Sequence, residues 1–201
     1  MIVAYLILAL LYLATQHLRY RGHFLVKALP ILLLAYWVSR SVTGTTEWLI
    51  IAALLCSAAG DVALAVNGDK YFVVGLGSFL VGHLFFTAAF LQTTAFTSIA
   101  LLPIGFILLL GIVITQQLWP QLGKLKFPVL GYIIVSMVMG FSAALHTPLS
   151  WLAIVGAILF MLSDACIAIN KFVRPIPYRD FVVMSSYYAA QLLLTLSFVS
   201  L

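Results

Sequence analysis

Charge is what this sequence lacks. Only 7% of its 201 residues are Asp, Glu, Lys or Arg, against about a quarter in a soluble domain. With 65% apolar residues there is no polar half to solvate, so lipid is the expected solvent. Acids are scarcer still, five in all, and cysteines number two. Cys56 and Cys166 both lie in apolar runs, at a spacing that fits neither a zinc site nor a redox pair. Histidines number four, and only His83 falls deep inside an apolar run, so a zinc centre would lack its usual nitrogen ligands. The formal charge of +5 does not point to nucleic acid, because the basic residues sit in short gaps between apolar runs and do not alternate with exposed aromatics. Neither a metal nor a cofactor is expected.

What is present is a series of apolar runs, each near the length of about 20 residues that crosses a bilayer as a helix. Eight fit, at about 1–18, 24–39, 47–66, 71–91, 97–117, 127–146, 149–170 and 181–200. The opening M-I-V-A-Y-L has no basic stretch ahead of it and reads as the first span, not as a secretory signal. The gaps are too short for a folded domain. The expected architecture is therefore an all-α membrane protein, one polytopic domain over 1–201 forming a compact bundle of eight transmembrane helices. Nine of the ten basic residues fall beside the odd-numbered gaps, and only Arg40 falls on the other side. The bias of positive charge toward the cytoplasm makes the odd gaps cytoplasmic and both termini non-cytoplasmic. Lys27, near the start of the second span, is expected to snorkel to the interface.

Two of the rare acids stand inside apolar runs. S-A-A-G-D-V-A-L-A-V-N (Ser57–Asn67) carries Asp61, and F-M-L-S-D-A-C-I-A-I-N (Phe160–Asn170) carries Asp164. A shift of 103 residues superimposes Asp61 on Asp164, Ala65 on Ala168 and Asn67 on Asn170. The echo suggests a four-plus-four parallel internal repeat about an axis along the membrane normal. An ionisable group at membrane depth is costly, which makes each carboxyl a functional candidate. Each lies six residues before its Asn, roughly 9 Å along a helix, so both are expected at one level beneath the cytoplasmic surface, lining a shared cavity. Helix four (Ser78, His83) and helix eight (Tyr187, Tyr188, Gln191) are expected to bring polar groups to the cavity, with His83 and Gln191 deeper than the carboxyls. Two functions suit such a pair: acid–base catalysis on a lipid, or a proton relay in a proton-coupled transporter of a small molecule or lipid.

The chain also resembles a family, the YhhN-type integral membrane proteins that include the lysoplasmalogenases. The likeness rests on G-D (Gly60, Asp61), F-x-x-G-L-x-S-F-L-x-G-H (Phe72 to His83), S-D (Ser163, Asp164) and Y-Y-x-A-Q (Tyr187 to Gln191). It implies hydrolysis of the vinyl-ether bond of a lysoplasmalogen to a fatty aldehyde and glycerophosphoethanolamine or glycerophosphocholine. Such cleavage is limited by placing a proton on carbon. It needs one carboxyl that carries the proton and another that steadies the resulting oxocarbenium ion and activates water, a division of labour resembling that of glycosidases. Asp61 and Asp164 are the catalytic candidates, with their roles unassigned. The substrate-binding candidates are His83, Tyr187, Tyr188, Gln191, Ser163, Ser78, Lys27, Asn67 and Asn170. The implied partners are a lysophospholipid and the bilayer, and the implied location is a bacterial inner membrane.

Overall fold

The computed structural model describes residues 1–18, 22–66 and 68–199, and Asn67, Arg19 and Arg21 lie outside the described residues. Eight α-helices follow in order: α1 (Ile2–Thr15), α2 (His23–Ser41), α3 (Thr45–Leu64), α4 (Asp69–Phe90), α5 (Leu101–Leu118), α6 (Lys126–Leu145), α7 (Trp151–Phe172) and α8 (Arg179–Leu196). No strand is present among the described residues. Among the described residues, six helical stretches are long and apolar enough to cross a bilayer: α2, α3, α4, α7, and the segments Ser98–Gln121 and Gly123–Leu145 around α5 and α6. The protein is thus a multi-pass membrane protein. Side chains such as Leu102 and Phe127, 77% and 79% exposed, suit hydrocarbon and not water.

The ends of the series depart from expectation. α1 stops at Thr15, whose hydroxyl bonds back to the Leu11 carbonyl at 2.8 Å, and its 14 residues span only about 21 Å. α8 opens on Arg179 and Asp180 and carries Ser185, Ser186 and Gln191, which keeps it outside the six. The reversals are made where the backbone allows them. Gly22 and Gly44, at φ +88° and +81°, occupy conformations that a side chain would strain, and each leads directly into a helix. Ser150 caps α7 by accepting from the Ala153 amide.

The chain divides into two compact units, Met1–Ala89 with the chain's end, and Phe90–Ser197. In the first unit α2 packs along α3, and α1 on α2. α3 and α4 approach closely through glycine: a methyl group on Gly82 would lie 3.2 Å from the Ala53 carbonyl oxygen, and one on Gly60 would strike the Phe79 ring. In lipid there is no water to expel from between helices, so close van der Waals contact through small residues is what holds them.

In the second unit α7 packs along α8. A methyl on Gly156 would come within 3.0 Å of the Leu194 nitrogen and 3.1 Å of the Ala190 oxygen, so these two backbones nearly touch. Ile107 and Ile114 of α5, Ile133 of α6 and Met161 of α7 form a further buried cluster. His146 ties the loops at one end through Nδ1, 3.2 Å from the Phe90 oxygen and 3.1 Å from the Thr93 oxygen.

Candidate functional site

Each intramembrane carboxyl belongs to one unit, and each is bonded by a side chain from the helix before it. In the first unit Asp61 is 1% exposed and forms an ion pair with Lys27, Nζ to Oδ1 3.3 Å. Lys27 also donates to the Asp61 main-chain carbonyl at 3.3 Å. That carbonyl belongs to the last turn of α3, where a cation complements the negative end of the helix dipole. Lys27 is itself only 8% exposed, which corrects the expectation that it snorkels to the interface. A buried carboxylate is a better partner than water reached by a strained stem. Pro30, three residues on, has no N–H for the Val26 carbonyl, so the turn carrying Lys27 lacks one rung of the helix ladder. Tyr5 of α1 is 1% exposed.

His83 is 1% exposed, and its Nδ1 bonds the Phe79 carbonyl at 2.7 Å. Nδ1 is therefore the protonated nitrogen, and a neutral ring presents its lone pair at Nε2. Ser78 turns its hydroxyl back to the Val74 carbonyl at 2.9 Å.

In the second unit Asp164 is half-buried, and the Tyr132 hydroxyl of α6 donates to its Oδ2 at 2.7 Å. Ser163, next in sequence, is 1% exposed and donates to the Val183 carbonyl at 3.0 Å, stitching α7 to α8. Asn170 accepts from the Ile176 amide at 3.0 Å and so holds the loop after α7. Tyr187 and Tyr188 are both buried, and Tyr187 meets Phe160 edge to face with centroids 5.5 Å apart. Gln191 and Thr195, one turn apart on α8, are fully buried. Neither end of the Gln191 amide, nor the Thr195 hydroxyl, bonds any protein group among the described residues. Buried polar groups are nearly always paired, and these two are exceptions.

The carboxyls do not keep the equal distances from their helix ends read from the asparagines. α3 ends three residues after Asp61, at Leu64, whereas α7 runs eight residues past Asp164, to Phe172. The chain leaves the helix before Asn67 in one case and continues beyond Asn170 in the other. Tyr132 is the residue that sequence reasoning passed over. It stands in a mostly apolar helix that also carries Ser136 and Ser142, 32 positions before Asp164, and Lys27 stands 34 before Asp61.

Comparison with known proteins supplies the lineage. The profile of the YhhN family matches residues 22–198. Lysoplasmalogenase TMEM86B of Homo sapiens is 38% identical over 180 residues, covering 86% of this chain and 74% of that protein. Lysoplasmalogenase TMEM86A of Bos taurus is 34% identical over 194 residues, covering 87% and 77%. A lysoplasmalogenase of Mycobacterium bovis is 34% identical over 178 residues, covering 85% and 67%. No solved structure matches. With a family profile spanning almost the whole chain and relatives at this identity, the chain belongs to the YhhN family.

Proposed function

We propose that the chain is a membrane-embedded lysoplasmalogenase, with Asp61 and Asp164 as its acid–base pair. The observation that carries the activity is the similarity, over most of both chains, to proteins named for it in mammals and in a mycobacterium. The reaction adds water to an enol ether. A proton goes to the vinyl carbon remote from oxygen, leaving an oxocarbenium ion. Water captures the cation, and the hemiacetal collapses to a fatty aldehyde and the glycerol hydroxyl of the head-group fragment. No cofactor is required by this sequence of steps. Support for the pair lies within each unit: an acid buried or half-buried in a helix that crosses lipid, bonded by a side chain of the preceding helix. His83, Tyr188 and Gln191 are the candidates to orient water or the ether oxygen, with Tyr187, Ser163, Ser78, Asn67 and Asn170 further out.

In this reading all eight helices cross a bacterial inner membrane as one polytopic domain, in a four-plus-four parallel arrangement. The basic odd gaps then face the cytoplasm, and the lipid phosphate lies at that surface. Support for the repeat is the 103-residue shift that superimposes Asp61 on Asp164, Ala65 on Ala168 and Asn67 on Asn170.

The test is a coupled aldehyde assay on purified protein in detergent. Aldehyde release from a lysoplasmalogen, and none from the saturated alkyl-ether analogue, is expected. A proton-coupled transporter needs two compartments and would release none from either, and that result would refute the activity.

A further inference from the structure

α8 carries two polar side chains whose bonds the protein does not supply. Gln191 and Thr195 are both 0% exposed. Neither the amide nitrogen and oxygen of Gln191 nor the hydroxyl of Thr195 bonds a protein group among the described residues. The amide can donate twice and accept twice, and the hydroxyl can donate once and accept twice. Burying such groups unbonded costs the loss of their hydration with nothing in return. Thr195 is the sharper anomaly. A helix threonine can bond the carbonyl four residues back. Thr15 does so to Leu11 at 2.8 Å, Thr87 to His83 at 2.8 Å and Thr115 to Gly111 at 2.7 Å. The Gln191 carbonyl receives no such bond from Thr195, although it stands at the same spacing.

Residues one turn apart share a helix face, with Cβ atoms about 5–6 Å from each other. A single oxygen bonded at about 2.8–3.0 Å to each of two groups spans such a gap. The unmade bonds also fix the chemistry of the occupant. It must offer a donor to the Gln191 Oε1 and an acceptor to Nε2, and the hydroxyl takes either role. An ether oxygen or an anion only accepts, and an ammonium only donates, so each would leave part of the amide stranded. An uncharged group that does both is water or an alcohol.

Depth favours water. A methyl on Gly156 would lie 3.1 Å from the Ala190 oxygen and 3.0 Å from the Leu194 nitrogen, so this turn of α8 is level with Gly156 of α7. From Gly156 to the end of α7 at Phe172 is roughly 24 Å along the helix. The glycerol of a lipid whose phosphate lies at that end, beside Lys171, stays far from Gln191. Water needs no such anchor. A buried water ordinarily takes two to four polar partners, and the three unbonded atoms of this turn meet that need.

We propose that Gln191 and Thr195 form a water site on α8, in which internal water is bonded both to the amide and to the hydroxyl. The site does not depend on the acid pair, and it commits Gln191 to water and not to the ether oxygen. Gln191→Leu then releases the water and lets Thr195 turn to the carbonyl of residue 191, as the other threonines do.

The test is nuclear magnetic resonance on the full chain in detergent, labelled with nitrogen-15 glutamine. The side-chain amide of Gln191 is identified as the resonance that Gln191→Leu removes. A rotating-frame experiment separates dipolar contact with held water from hydrogen exchange, because the two give cross peaks of opposite sign. Wild type is expected to show the dipolar cross peak to water. Thr195→Val removes the hydroxyl at nearly constant volume and should weaken that peak at least about threefold, since the water loses one of its few partners. Thr195→Ser keeps the hydroxyl and should keep the peak. Should Thr195→Val fail to fold, Thr195→Ala is read in the same way. A peak to detergent or to added lysolipid and none to water, no dipolar peak in wild type, or a water peak indifferent to loss of the Thr195 hydroxyl overturns the site. None of these readouts uses aldehyde release. An inactive wild-type protein would refute the activity and leave the water site standing, and a Gln191 without water would leave the activity standing.

Discussion

Replacing Asp61 with Asn removes the carboxylate 3.3 Å from the Lys27 ammonium, in a site where that lysine is 8% exposed. At 3.3 Å, with an effective dielectric of about 20, the attraction between the two charges is about 5 kcal/mol. Much of it offsets the cost of bringing both groups out of water, so the pair adds little net stability. Its removal from one side is another matter. Each single variant, Asp61→Asn or Lys27→Met, leaves one buried charge without this counter-charge and is expected to lose about 3–5 kcal/mol. The double variant leaves none, and should lie within about 1–2 kcal/mol of wild type. The measurement is a double-mutant cycle on purified protein in detergent, with unfolding followed by near-ultraviolet circular dichroism and by loss of the monodisperse elution peak. Single-variant losses that simply add, within about 0.5 kcal/mol, would refute the ion pair as a coupled unit.

Other outcomes follow from the packing and the polar groups. Gly156→Val should destabilise by about 1–3 kcal/mol, because the added methyl meets the α8 backbone at 3.0 Å and backbone cannot step aside. Gly131→Ala, with nothing within 4 Å, should be neutral or gain up to about 1 kcal/mol, and thermal melting compares the two. Gln191→Leu removes a buried amide that bonds no protein group among the described residues, so the melting temperature should hold or rise while kcat falls at least about tenfold. A fall in stability with kcat intact would place Gln191 among the structural residues. In a variant with Cys56 and Cys166 changed to Ala, Thr43→Cys should react with an impermeant maleimide added outside intact cells, and Val173→Cys only after permeabilisation.

Most of the helix plan was legible because hydrophobicity along this chain is nearly binary. Apolar runs end at short polar gaps, and glycines such as Gly22 and Gly44 mark the reversals. Where apolar content was the only guide, the bounds drifted: α1 closes at Thr15, and α3 at Leu64. The acids were legible because charge in such a background is costly and so stands out. Their partners were harder to find. Lys27 stands near a predicted helix end, where snorkelling is the ordinary fate of lysine, and only the three-dimensional packing of α2 on α3 shows it turned inward. Tyr132 was hidden for the opposite reason, since a tyrosine among Ile and Val carries no charge to mark it. Ser163 and Asn170 were read as ligand-facing from their place beside the motif, yet their visible bonds tie α7 to α8 and to the following loop. Proximity in sequence to a catalytic candidate does not distinguish a group that supports the scaffold from one that meets substrate.

The claim on which the account turns is that two acids within the membrane carry the reaction. The direct measurement is initial-rate aldehyde release from one lysoplasmalogen by wild type, Asp61→Asn and Asp164→Asn, each confirmed as monodisperse in the same detergent. The account predicts that wild type is active and that each variant loses at least about a thousandfold, the scale of removing a group that moves a proton or holds developing charge. A folded variant of either kind that still cleaves the vinyl ether at near the wild-type rate would contradict it.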